Sequence, residues 1–189
     1  MAKIRSFICI ELPDEVKTEI GRFQAQFTNE PVSVSWTKAE NIHLTLKFLG
    51  DVEESRLADV RRVLTDVAGR FGPFELVARG CGVFPSERAP RVLWIGVTEE
   101  GGHLPRLAGA IEEAMAGLGF AREGRPFQAH LTIGRIRAAT GARELARKFL
   151  ALHFSTGPFR ADRITLMRSD LRPSGAIYTP LQIIPLGSS

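Results

Sequence analysis

The chain reads as an α+β protein built from two similar halves, and three observations carry that reading. A tetrapeptide, His-Leu-Thr-Leu at 43–46, returns almost unchanged as His-Leu-Thr-Ile at 130–133, close to half the chain later. Around each copy, segments of period-two alternation intermingle with segments whose apolar residues recur at three and four, the marks of half-buried strands and amphipathic helices. No low-complexity stretch or long linker separates the halves, so residues 1–189 form one domain with two lobes, each carrying one His-x-Thr motif.

Residues 4–12 alternate as a strand, with Phe7 and Cys9 opposite Ser6, Ile8 and Ile10. Pro13-Asp-Glu15 opens a helix whose apolar stripe is Val16, Ile20, Phe23 and Phe27. A short strand at 32–36 leads to the first His strand, 43–49, which Gly50 should end. A helix at 53–69 carries Leu57, Val60, Leu64 and Val67, and strands follow at 74–83 and 91–97 around the loop 85–90. A helix at 104–118 (Leu107, Ile111, Met115, Leu118) then precedes the Gly/Arg/Pro turn 124–126 and the second His strand, 130–137. A helix at 141–152 and strands at 159–169 and 176–185 complete the pattern.

Of 189 residues, 44% are apolar and 24% charged, ordinary for a globular protein. The net charge of +4 permits a polyanionic ligand without demonstrating one. Cys9 and Cys81 show neither metal-ligand spacing nor a disulfide framework, which suits a reducing compartment. The apolar run after Met1 is too short for a signal peptide, and no stretch reaches membrane-spanning length. A cytoplasmic protein with no membrane partner is expected.

Two motifs of one kind among four histidines should arise by chance on the order of once in a thousand such sequences. Alternation puts His43 and Thr45 on one face of a strand and Leu44 and Leu46 on the other, and does the same for His130 and Thr132. Each motif so presents an imidazole beside a hydroxyl. A metal site is a poor match, because each strand offers one good ligand and no carboxylate or thiol at the neighbouring same-face positions. Ser/His/Asp catalysis is a poorer match still, for there is no Gly-x-Ser-x-Gly elbow. Two imidazoles across a cleft suit general acid–base catalysis near neutral pH, one neutral and one protonated. In-line displacement at a phosphodiester needs such a pair: a base to activate water and an acid to protonate the leaving oxygen. Threonine hydroxyls can meanwhile donate to phosphoryl oxygens.

These residues resemble the 2H phosphoesterase superfamily, and within it the bacterial RNA 2',3'-cyclic phosphodiesterases, also called the LigT-like or 2'-5' RNA ligase family. The likeness runs nearly end to end: Arg5-Ser-Phe-Ile-Cys-Ile-Glu-Leu-Pro13, Trp36, His43-Leu-Thr-Leu-Lys-Phe-Leu-Gly50, Pro90-Arg-Val-Leu-Trp-Ile-Gly-Val97, Phe127-Gln-Ala-His-Leu-Thr-Ile-Gly-Arg135 and Gly175-Ala-Ile-Tyr-Thr-Pro-Leu181. One departure is Ala129, where the family usually has proline before the second His. The resemblance implies two antiparallel sheets lining a central cleft, with helices outside. It implies hydrolysis of 2',3'-cyclic phosphate ends of RNA to 2'-phosphates without metal or other cofactor; a monomer is expected. It assigns His43 as the acid and His130 as the base. Some members also join tRNA halves through a 2'-5' linkage, and some act on small cyclic nucleotides. A non-catalytic RNA-end binding module is the alternative of another class, but phosphate binding alone is served better by Arg or Lys than by paired histidines.

Further candidates are weaker. Lys47 falls on the His43 face by alternation and is a candidate phosphate contact. Arg135 lies in the family motif, although alternation puts it opposite His130 unless a bulge intervenes. Phe48, Trp36 and Trp94 are candidates for base stacking, and Arg91 and Tyr178 for the cleft rim. His103 and His153 lack the accompanying threonine and stand outside the pattern.

Overall fold

A computed structural model describes residues 2–187. The elements run β1 (Lys3–Glu11), α1 (Asp14–Ala25), β2 (Val34–Trp36), β3 (His43–Glu53), α2 (Leu57–Ala68), β4 (Phe74–Phe84), β5 (Val92–Thr98), α3 (His103–Gly117), β6 (His130–Ile136), α4 (Ala142–Leu150), β7 (Phe159–Ala161), β8 (Arg163–Arg172) and β9 (Gly175–Pro185). The strands form two antiparallel sheets, ordered β3-β1-β8-β9 and β2-β6-β5-β4-β7. The fold is α+β, with one His strand in each sheet.

The helices form where the apolar stripes demanded. Asp14 and Glu15 sit in the first turn of α1, where the helix dipole favours negative charge, and Val16, Ile20 and Phe23 are buried. Leu57, Val60, Leu64 and Val67 are buried on α2, and Leu145 and Phe149 on α4. Two strands depart most from the alternation pattern. Gly50 does not end β3: with φ at 68° it stays paired with Ser6, and the strand runs on to Glu53. The single strand expected over 159–169 is two, because the chain changes sheet at Asp162. β7 pairs with β4 in one sheet and β8 with β1 in the other. The apolar phase slips there, from Phe159 and Ala161 to Ile164 and Leu166, but Asp162-Arg163 does not by itself say that the chain changes sheet.

Neither sheet follows the halves of the chain. The first joins β1 and β3 to the late strands β8 and β9, and the second takes β2 from the beginning. Helices are exchanged as well. α1 precedes the His43 strand yet packs behind the other sheet, where Phe27 meets Trp36 of β2 and Phe23 meets Phe149 of α4. α3 precedes the His130 strand yet packs with α2 behind β3. One apolar core runs behind both sheets, and a smaller cluster of Phe7, Cys9 and Met167 lies on the opposite, cleft-facing side of the first sheet.

Candidate active site

The two His strands approach each other where the sheets meet, and the cleft between them encloses about 550 Å³. His43, Thr45, His130 and Thr132 all line it, with Leu44 and Leu131 fully buried behind as anchors. The two imidazoles are held alike. His43 Nδ1–H donates to the carbonyl of Asn41 at 2.8 Å, and His130 Nδ1–H donates to the carbonyl of Gln128 at 2.7 Å. A carbonyl can only accept, so each ring carries its proton on Nδ1 when neutral and leaves Nε2 for chemistry. In the first motif the Thr45 hydroxyl lies 2.9 Å from His43 Nε2 and donates to it while the ring is neutral.

Aromatic walls fix both rings. His43 stacks on Phe7 at 4.6 Å and meets Tyr178 edge-on at 5.2 Å. His130 meets Phe84 at 5.0 Å and Trp94 at 6.0 Å, both edge-on. The Trp94 indole occupies a slot that only glycine leaves open, for a Cβ on Gly82 would come within 2.0 Å of it. Burial pushes the His43 imidazole below its ordinary range; the Asn41 carbonyl opposes that shift and Lys17 adds to it.

Past the His-x-Thr triplets the strands depart from simple alternation. Thr45 pairs with Cys9 and Lys47 with Ile8, which leaves Leu46 as an extra residue in β3. Thr132 pairs with Trp94 and Gly134 with Leu93, which leaves Ile133 as an extra residue in β6. Each bulge resets the side-chain phase. Lys47 is therefore turned away from the cleft and is nearly fully buried, its ammonium 2.8 Å from Glu112 of α3 and 2.9 Å from the Ala121 carbonyl. This corrects the expectation that Lys47 meets phosphate. Burial alone would raise the Glu112 carboxyl, but hydrogen bonds from Lys47 and the Glu123 N–H outweigh it and hold the acid below its usual range.

The same phase change brings Phe48 and Arg135 into the cleft. Trp36 and Trp94 serve instead as packing, against Phe27 and behind His130, while Tyr178 lines the cleft and Arg91 does not. Sequence reasoning missed Arg5, Arg137 and Arg172, which also line the cleft. Arg5 had a signal, since it lies two residues before Phe7 on β1; the other two are placed by sheet register and a hairpin end. Among the described residues no carboxylate ion-pairs with any of these four arginines, and no acidic side chain lines the main cleft. The site is built for an anion. Among the described residues no three His, Cys, Asp or Glu side chains converge as metal ligands, and no helix is long and apolar enough to cross a membrane.

The model of the family described as LigT like Phosphoesterase matches the chain twice, over residues 10–94 and 95–178. The chain belongs to the LigT-like phosphoesterase family. Among relatives of this LigT-like phosphoesterase, the RNA 2',3'-cyclic phosphodiesterase of Methanothermobacter thermautotrophicus is 34% identical and covers 97% of this chain and 100% of its own. In crystal structures, TT0787 of Thermus thermophilus superposes with a TM-score of 0.85 at 27% identity, covering 98% of this chain and 100% of its own. E. coli LigT complexed with 3'-AMP superposes with a TM-score of 0.75 at 28% identity, covering 97% and 98%.

Proposed function

We propose that this LigT-like phosphoesterase hydrolyses 2',3'-cyclic phosphate ends of RNA to 2'-phosphates, with the two imidazoles as proton donor and acceptor. The observation that carries the reading is the matched pair of Nε2 atoms in one cleft, each freed by an Nδ1–H bond to a carbonyl two residues upstream. A relative with this activity in its name, identical at 34% of positions, supports the substrate class, and the arginine-lined cleft suits an RNA phosphate.

The cyclic phosphate sits between the motifs, its non-bridging oxygens accepting from the Thr45 and Thr132 hydroxyls and from Arg135. Thr45 exchanges its bond to His43 Nε2 for one to the phosphoryl oxygen. His130 takes a proton from water as the water oxygen bonds to phosphorus. The P–O3' bond breaks opposite, and His43 gives its proton to the departing 3'-oxygen. The products are a 2'-phosphate and a 3'-hydroxyl, and solvent returns both histidines to their starting states. Burial disfavours the charged imidazole of His43 in the empty cleft, and the negative charge of the bound phosphodiester raises its proton affinity when the acid is needed. Joining a 2'-phosphate-forming end to a 5'-hydroxyl through a 2'-5' linkage uses the same groups, with the RNA hydroxyl in place of water. Both histidines belong to one chain, so a monomer suffices.

The test is hydrolysis of a short RNA ending in a 2',3'-cyclic phosphate, with EDTA present. The expected product is the 2'-phosphate at an undiminished rate. An untouched substrate or a 3'-phosphate product would refute the proposal.

A further inference from the structure

Both bulges stand at the same place in their motifs, immediately after the threonine, and each decides which residue faces the cleft. Without them, simple alternation would present Lys47 and Gly134 to substrate and send Phe48 and Arg135 to the back of the sheets. Each bulge is held from behind by a polar side chain of the helix supplied by the other half of the chain, fully buried in one case and half-buried in the other. Gln24 of α1, buried to 7% exposure, donates both of its amide hydrogens: one to the Ile133 carbonyl at 2.8 Å, the other to the Thr37 carbonyl at 2.9 Å. The Thr37 N–H donates to the same Ile133 carbonyl at 3.0 Å. On the other side Glu112 of α3 holds Lys47, the residue next to Leu46, at 2.8 Å.

We propose that Gln24 is a positioning residue for Arg135: its amide locks the bulge at Ile133 and so keeps the guanidinium on the substrate side, as the Lys47–Glu112 pair does for Phe48. A one-residue slip of β6 would move the Ile133 carbonyl and orphan an amide hydrogen of Gln24 in the interior, where nothing offsets the loss. It would also turn Arg135 into the apolar core. Gly134 supports the same register. The bulge turns it to the crowded side, where a Cβ would come within 2.9 Å of the Trp36 ring and 3.0 Å of Val34. The assignment rests on the cleft being the phosphodiesterase site.

The experiment compares Gln24→Met, which removes both donors at similar volume, with Arg135→Ala and the double variant, in kcat/KM on cyclic-ended RNA. Gln24→Met should lose about tenfold or more, and the double variant should be no worse than Arg135→Ala, because a misdirected guanidinium has nothing further to lose. Additive losses would overturn the proposal, since an independent packing defect multiplies with loss of the arginine. Inorganic phosphate binding, followed by titration calorimetry, is the second readout. Its Kd should rise by the same factor in Gln24→Met and Arg135→Ala, and a folded Gln24 variant that binds like wild type refutes the role. That readout stands even if the wild type leaves cyclic ends intact, in which case the functional reading alone fails. Should Gln24→Met not fold, Gln24→Asn, whose amide is too short to span both carbonyls, replaces it. If neither folds, Gln24 is purely structural and the proposal is wrong.

Discussion

The Lys47–Glu112 pair lets the energetics of one bulge be measured. The Lys47 side chain is 1% exposed and that of Glu112 22%, with nitrogen and oxygen 2.8 Å apart. The two ends of the bridge are therefore unequal. Glu112→Leu strands an ammonium that has only the Ala121 carbonyl left, and breaking a buried pair in this way costs about 3–5 kcal/mol. The partial exposure of Glu112 puts the loss at the low end, about 3 kcal/mol, or ~6–12 °C in Tm for a domain of this size. Lys47→Met leaves a carboxylate that can rehydrate and still accepts from the Glu123 N–H, so it should cost only about 1–2 kcal/mol. The double variant Lys47→Met/Glu112→Leu should return to within about 1 kcal/mol of wild type, because the ion pair is replaced by apolar contact. Urea unfolding with matched m-values measures all three. Equal losses from the single variants, or a double variant as weak as their sum, would show that the pair is not desolvated as described. Acid titration gives a second check: the stability contributed by Glu112 is complete above its ordinary pKa of 4.5 and is lost as pH falls through the lower folded value. Lys47→Met should flatten that profile.

His43→Ala and His130→Ala should each lower kcat by roughly two to four orders of magnitude on cyclic-ended RNA, and a variant keeping a tenth of wild-type activity is not a proton-transfer group. A substrate with sulfur in place of the 3'-oxygen needs little protonation of its leaving group, so it should rescue His43→Ala and leave His130→Ala impaired; rescue of the other variant reverses the roles. Anion binding raises the proton affinity of an acid at His43, so the alkaline limb of the kcat profile should lie at higher pH than that of kcat/KM; movement of the acidic limb instead would make His43 the base. Thr45→Val and Thr132→Val keep the β-branch and delete the hydroxyl, and each should depress kcat/KM with the urea midpoint nearly unchanged. Because burial lowers the His43 pKa from 6.5, the unfolded chain binds that proton more readily. Stability should therefore be full above pH 6.5 and decline as pH falls through the folded value, and His43→Gln should remove that part of the decline.

The elements and the heads of the site were legible in the residues alone. Period-two and period-3.6 patterns are local properties, so the buried stripes of α1, α2 and α4 and the paired His-x-Thr faces could be read without any neighbour. Repetition of the motif marked His43, Thr45, His130 and Thr132 as a set before any geometry placed them in one cleft. Packing settles what lies just beyond those triplets. A bulge is a mismatch between two strands, and Leu46 and Ile133 are extra only relative to β1 and β5. No inspection of one strand could show that Lys47 turns inward to Glu112 while Arg135 turns outward, nor that the chain changes sheets at Asp162. The exchanged helices are equally invisible, since an apolar stripe states how much surface must be buried and not against which sheet. Arg137 and Arg172 join the site because sheet register and a hairpin end carry them there. Periodicity is written in the chain; register is set between strands that meet only after folding.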